Sequence, residues 1–100
     1  MIDVRETVDF TNWLAALSDL RARLQIVRRI DRIAAGNFGD AKSVGGAVKE
    51  LRIDYGPGYR VYYTQRGDTV VILLCGGDKR TQSKDIRKAK EIAEALEDRG

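Results

Sequence analysis

The chain has 100 residues, 18 of them basic and 15 acidic, with a net charge of +3, no histidine and one cysteine. That length supports one domain around one core. The absence of histidine excludes a Ser-His-Asp triad, a two-histidine nuclease pair and an imidazole metal site, and a single cysteine excludes a disulfide framework or a thiolate zinc site. The acids lie at the ends of the chain and among arginines, so neither a metal nor a cofactor is expected. No stretch approaches the roughly 20 apolar residues that span a bilayer, and the N-terminus has no basic segment followed by an apolar run. A cytoplasmic protein with no membrane partner is expected.

Residues 2–5 suit a short edge strand. From Val8 the spacing turns helical: Phe10, Trp13, Leu14 and Leu17 share one stripe, and Leu20, Leu24, Val27, Ile30 and Ile33 repeat it. Two helices joined at Ser18-Asp19 as an antiparallel hairpin would bury these residues. Gly36 ends the second helix. Residues 37–40 read as a loop, and Gly45-Gly46 opens a three-stranded meander over 47–54, 59–65 and 69–75. Pro57 and Gly58 fit the second and third positions of a type II turn, and Gly67-Asp68 fits a tight two-residue II′ turn. The run Val70 to Cys75 does not alternate, which marks an interior strand covered on both faces, with Cys75 a buried thiol. Gly76-Gly77 breaks that strand. A last helix, capped by Thr81 or Ser83, turns Ile86, Ala89, Ala93 and Leu96 inward.

The charges are segregated. Residues 21–32 carry five arginines against Asp31, and residues 79–90 carry Lys79, Arg80, Lys84, Arg87, Lys88 and Lys90 against Asp85. Such clusters are footprints of a polyanion but are also common on solvated helix faces. More specific is the pair of strands around Pro57, where a period of two puts Glu50, Arg52 and Asp54 on one face and Arg60, Tyr62 and Thr64 across from them. Arginine grips two phosphate oxygens with a planar fork and stays charged at any relevant pH. RNA can be cut without metal when its 2′-hydroxyl attacks the adjacent phosphate, if the protein holds the geometry, stabilises the phosphorane charge and assists two proton transfers. Lys79, Lys49 and Tyr62 are candidates for the proton work, and Glu50 is either a further one or a cross-strand partner for an arginine.

The order strand, two helices, meander and C-terminal helix, together with Gly36-Asn37-Phe38-Gly39-Asp40, Glu50-Leu51-Arg52-Ile53, the stretch Tyr55 to Tyr63 and Leu73-Leu74-Cys75-Gly76-Gly77-Asp78-Lys79-Arg80-Thr81-Gln82, resembles the RelE/ParE superfamily of bacterial toxins. Within it the chain is most similar to the HigB-like group called addiction module killer proteins. The resemblance implies a single α+β domain over residues 1–100 with a RelE-like fold, its helical hairpin and C-terminal helix packed on an antiparallel meander. It implies a toxin that enters the ribosomal A site and cleaves the mRNA there. A cognate helix-turn-helix antitoxin would hold it inactive and alone carry the complex to operator DNA. Arg60 matches the superfamily's phosphate-stabilising strand arginine, Arg52 a basic position of the preceding strand, and Lys79 or Arg80 the basic position after the last strand. Arg52, Arg60 and Lys79 are therefore expected to be catalytic, with Lys49, Tyr62, Arg80 and Lys84 along the RNA. The C-terminal tyrosine or histidine of some nuclease members has no counterpart, since no tyrosine follows Tyr63. Two other functions fit the same fold: a gyrase inhibitor, and a non-toxic module that only binds an antitoxin.

Overall fold

Side-chain alternation across one sheet divides the hydrophobic core in two. A computed structural model describes residues 1–98, so the last two residues of the expected domain lie outside the described part. The elements are β1 (Asp3–Glu6), α1 (Val8–Ala16), α2 (Leu20–Ala34), β2 (Ala41–Gly45), β3 (Val48–Ile53), β4 (Tyr59–Arg66), β5 (Val70–Gly77), a 3₁₀ turn (Lys79–Thr81) and α3 (Gln82–Asp98). They form an α+β fold with one five-stranded sheet in the order β1-β5-β4-β3-β2, compatible with a RelE-like fold. β2 to β5 are an antiparallel meander, and β1 adds to β5 in parallel. Phe10, Ile26, Ile33, Leu51, Val61, Tyr63 and Leu73 fill the core under the α1–α2 hairpin, and Val48, Tyr62, Leu74, Cys75, Ala89 and Ala93 fill the one under α3. Both faces of β5 are thus covered, as its unbroken apolar run requires. Among the described residues no helix is long and apolar enough to cross a membrane.

Local chemistry sets the boundaries. Thr7 caps α1 by accepting from Phe10 N, and Asp19 caps α2 by accepting from Arg21 N and Ala22 N. α2 ends in a Schellman motif: Gly36, at φ 93, donates to Ile33 O and Asn37 to Arg32 O. After β5, Asp78 caps the 3₁₀ turn that leads into α3, accepting from Arg80 N at 2.8 Å, and the Thr81 hydroxyl, expected to cap α3, donates to the Asp85 carboxylate.

Several elements depart from the sequence expectation. The meander has four strands, because Ala41–Gly45 pairs with β3 at the sheet edge. That segment is poor in β-branched residues, and its strand is made by its partner's free edge rather than by propensity. The inward face of α2 is Ala22, Ile26, Ile30 and Ile33, while Leu20, Leu24 and Val27 are exposed. The turn after β3 closes one residue early, with Gly58 N donating to Tyr55 O, so Gly56 takes the second position and Pro57 the third. The β4–β5 loop has three residues, 67–69, between the paired Arg66 and Val70.

Gly76 and Gly77 continue β5 instead of breaking it. Each makes room for a side chain on a different face: a Cβ at Gly76 would overlap the Trp13 ring, and one at Gly77 would overlap the Asp85 carboxylate. Neither glycine has a positive φ, so close approach and not backbone conformation demands them. Gly76→Ala should therefore lower the unfolding free energy by roughly 1–3 kcal/mol through overpacking against Trp13. Urea denaturation measures this directly, and an unchanged midpoint would show that the indole yields at no cost.

Candidate active site

The pleat carries Arg52 and Arg60 to the same face of the sheet, where they stand directly opposite each other in the β3–β4 register. Two loops and the 3₁₀ turn wall this end of the sheet into a cavity of about 440 Å³, lined by Asp40, Arg52, Ile53, Asp54, Gly56, Pro57, Gly58, Arg60 and Lys79. Each wall has a reason to be there. Gly58, at φ 82, lies so close that an added Cβ would stand 3.3 Å from Arg60 Nη1 and 3.6 Å from Lys79 Cβ. Its carbonyl accepts from Arg60 Nη1 at 3.1 Å. On the opposite side Arg29 of α2 reaches over the sheet edge and donates to Arg52 O at 2.7 Å and Phe38 O at 3.5 Å. Phe38 stacks on Tyr63 with ring centroids 6.0 Å apart, and Arg52 N donates to Asp40 O. The loop that delivers Asp40 is thereby tied to the core, and Arg29, one of the five arginines of 21–32, serves this clamp.

The cations of the cavity are incompletely neutralised. Arg52 Nε is 3.6 Å from Asp40 Oδ2, and Arg60 Nε is 3.6 Å from Glu50 Oε1. Both separations are those of ion pairs without a hydrogen bond. Glu50 has no exposed surface at all and the Arg60 side chain is only 11% exposed, so their pair is internal. Gln82, at the start of α3, donates to Glu50 Oε2 at 2.8 Å. Glu50 Oε1, Arg60 Nε and Tyr62 Oη remain buried without a hydrogen-bond partner.

Residues 12–97 match the model of the family described as phage derived protein Gp49-like (DUF891). The chain belongs to that family. It is a toxin–antitoxin toxin family of RelE/HigB-like type. The chain is also 53% identical over 95 residues to an uncharacterized protein of Haemophilus influenzae, a similarity covering 95% of this chain and 96% of that one.

In this Gp49-like protein the seven residues singled out from the sequence divide into groups. Arg52, Arg60 and Lys79 meet in the cavity. Arg80 and Lys84 are exposed on the 3₁₀ turn and the first turn of α3, just outside its lining, and Arg80 is paired with Asp78 at 3.3 Å. Lys49 is exposed and, one residue from Glu50, leaves the sheet from the opposite face to Arg52. Tyr62 lies under α3 with no exposed surface. Burial raises its pKa, and the nearby carboxylates of Glu50 and Asp85 raise it further, although its hydroxyl makes no hydrogen bond of normal geometry with either. Tyr62 is therefore a neutral core phenol, screened from RNA. Of the two roles open to Glu50, the structure gives it the arginine partner. Sequence reading missed Gln82 and Asp40, whose involvement depends on where α3 and the 37–40 loop dock.

Among the described residues no three His, Cys, Asp or Glu side chains come together to hold a metal ion. Cys75 is buried, donates weakly to Asp85 O at 3.6 Å, and burial followed by the Asp85 charge pushes its pKa from 9.0 up to about 12. The native thiol should react with Ellman's reagent at pH 8 only after unfolding. Because the folded value is the raised one, the associated stability is complete below pH 9.0 and falls as pH climbs towards about 12. Thermal melts between these limits should show a declining midpoint, and Cys75→Ser should flatten part of the decline.

Removing the buried carboxylate tests the internal pair. Glu50→Ala strands Arg60 and should cost about 3 kcal/mol or more, whereas Glu50→Gln keeps an acceptor for Gln82 and should cost less. Both variants remove the charge that faces Arg60, so a wild-type denaturation midpoint in Glu50→Gln would count against an internal ion pair.

Proposed function

We propose that the protein is the toxin of a type II toxin–antitoxin module and that it inhibits translation by cutting mRNA in the ribosomal A site, without metal. The observation that carries this reading is the convergence of Arg52, Arg60 and Lys79 on one cavity. Two of these cations are held by carboxylates at 3.6 Å, too far for the hydrogen bonds that a phosphate oxygen could make instead.

In the reaction the 2′-hydroxyl attacks the adjacent phosphorus as its proton leaves. The 5′-oxygen departs and takes up a proton, leaving a 2′,3′-cyclic phosphate and a 5′-hydroxyl. The two arginines would spread the phosphorane charge over their forks without exchanging protons. Lys79 is exposed at the rim, and its ammonium would give the proton to the departing oxygen. Arg80 and Lys84 would meet flanking phosphates. The role of the missing C-terminal base falls to a group of the ribosome or the RNA, since Tyr62 is covered. The family's cognate antitoxin is the expected inhibitor.

The deciding experiment is primer extension on a defined mRNA with purified protein, with and without programmed 70S ribosomes. Cuts confined to the A-site codon and dependent on ribosomes are expected. Arg60→Ala should lower the cleavage rate about 10²–10³-fold, as loss of one preorganised donor to a developing oxyanion does, and should abolish growth arrest. An intact message from protein that arrests growth would overturn the nuclease reading and point to DNA gyrase. Full toxicity of Arg60→Ala would remove that arginine from the site.

A further inference from the structure

α2 spends three of its largest apolar residues on solvent. Leu20, Leu24 and Val27 are 68, 57 and 40% exposed, at the i, i+4 and i+7 spacing that makes one continuous stripe. The core does not need them, since Ala22, Ile26 and Ile33 already close the helix onto the sheet. With Leu14 of α1 and the stem of Arg23 they line a groove of about 410 Å³, and Leu24 separates it from a second groove of about 320 Å³ walled by Arg21 and Arg28. Among the described residues none of these three arginines forms an ion pair. The stripe therefore has an apolar floor and uncompensated positive rims.

We infer that this face docks an amphipathic helix of a partner protein, its apolar seam on Leu20, Leu24 and Val27 and its flanking carboxylates on Arg21, Arg23 and Arg28. Helix-in-groove recognition uses this spacing of anchors, and charge across the rim sets register and rejects basic helices. A second copy of the chain is disfavoured, because a two-fold contact would set the same arginines against one another. The chain's own acidic residues Glu91, Glu94 and Glu97 are on α3, on the far side of the sheet, and do not reach. RNA would find phosphate partners on the rims and nothing for the leucines. Read together with the proposed function, and resting on it for this point alone, the helix belongs to the antitoxin. It would bind the outer surface of the hairpin and not the catalytic cavity.

The probe is a fluorescein-labelled, stapled helix of about 16 residues, with leucines at i, i+4, i+7 and i+11 and glutamates on both flanks, beside a second in which lysines replace the glutamates. Each is titrated with the full chain by fluorescence anisotropy. The acidic helix should bind at least tenfold tighter than the basic one. Leu24→Glu and Arg23→Glu should each weaken it tenfold or more while leaving the melting temperature and the growth arrest unchanged. Absence of saturable binding, equal binding of the two peptides, or wild-type affinity in both variants would overturn the inference. Failure of the wild type to arrest growth would instead strike the proposed function, and the titration would still decide the docking face.

Discussion

A carboxylate with no access to water sits where the elements that shape the cavity meet. Glu50 belongs to β3, its ion-pair partner Arg60 to β4, and its hydrogen-bond donor Gln82 to α3. Taking such a charge out of water costs several kcal/mol, recovered only when partners surround it. The two strands must therefore be in register and the first turn of α3 must lie across them. Once that holds, the chain leaving β5 has one course, through Asp78 and the 3₁₀ turn, and this brings Lys79 beside Gly58 and Arg60.

The pair also governs how Arg60 presents itself. Nε is directed at Glu50 and Nη1 at the Gly58 carbonyl, so the guanidinium is oriented from two sides with one buried N–H unsatisfied. Orphaned polar atoms in a packed core are uncommon and concentrate where a structure serves something other than its own stability. Here they surround the arginine on which the proposed chemistry depends. Arg52 is the complement: half-buried, its side chain loosely paired with Asp40 and its backbone held by Arg29 and by the Asp40 carbonyl.

Much of this was legible in the sequence. The helical hairpin, the interior strand, the inward face of α3 and the meeting of Arg52 with Arg60 all follow from periodicity and turn residues. Three features were not, each for a physical reason. α2 carries two overlapping apolar stripes, and periodicity alone does not say which is the core and which faces outward. β2 has little propensity of its own and exists because β3 offers an edge. Gly76-Gly77 looks like punctuation, yet each glycine is the imprint of a side chain, Trp13 or Asp85, distant in sequence. Tyr62 illustrates the same limit at the site: period two assigned it to the face of Arg60, and only the position of α3 decides that the phenol is sealed.

The parallel pairing of β1 with β5 has a bearing on synthesis. Residues 3–6 find their register against residues 70–73, so β1 has no partner until β5 has been made. Pairings of such long sequence separation are slow to form, because loop closure precedes any gain in contacts. α3, which seals Glu50, is translated later still. The growing chain thus carries its arginines without the walls that organise them, and the cavity is assembled only once β5, the 3₁₀ turn and α3 have followed.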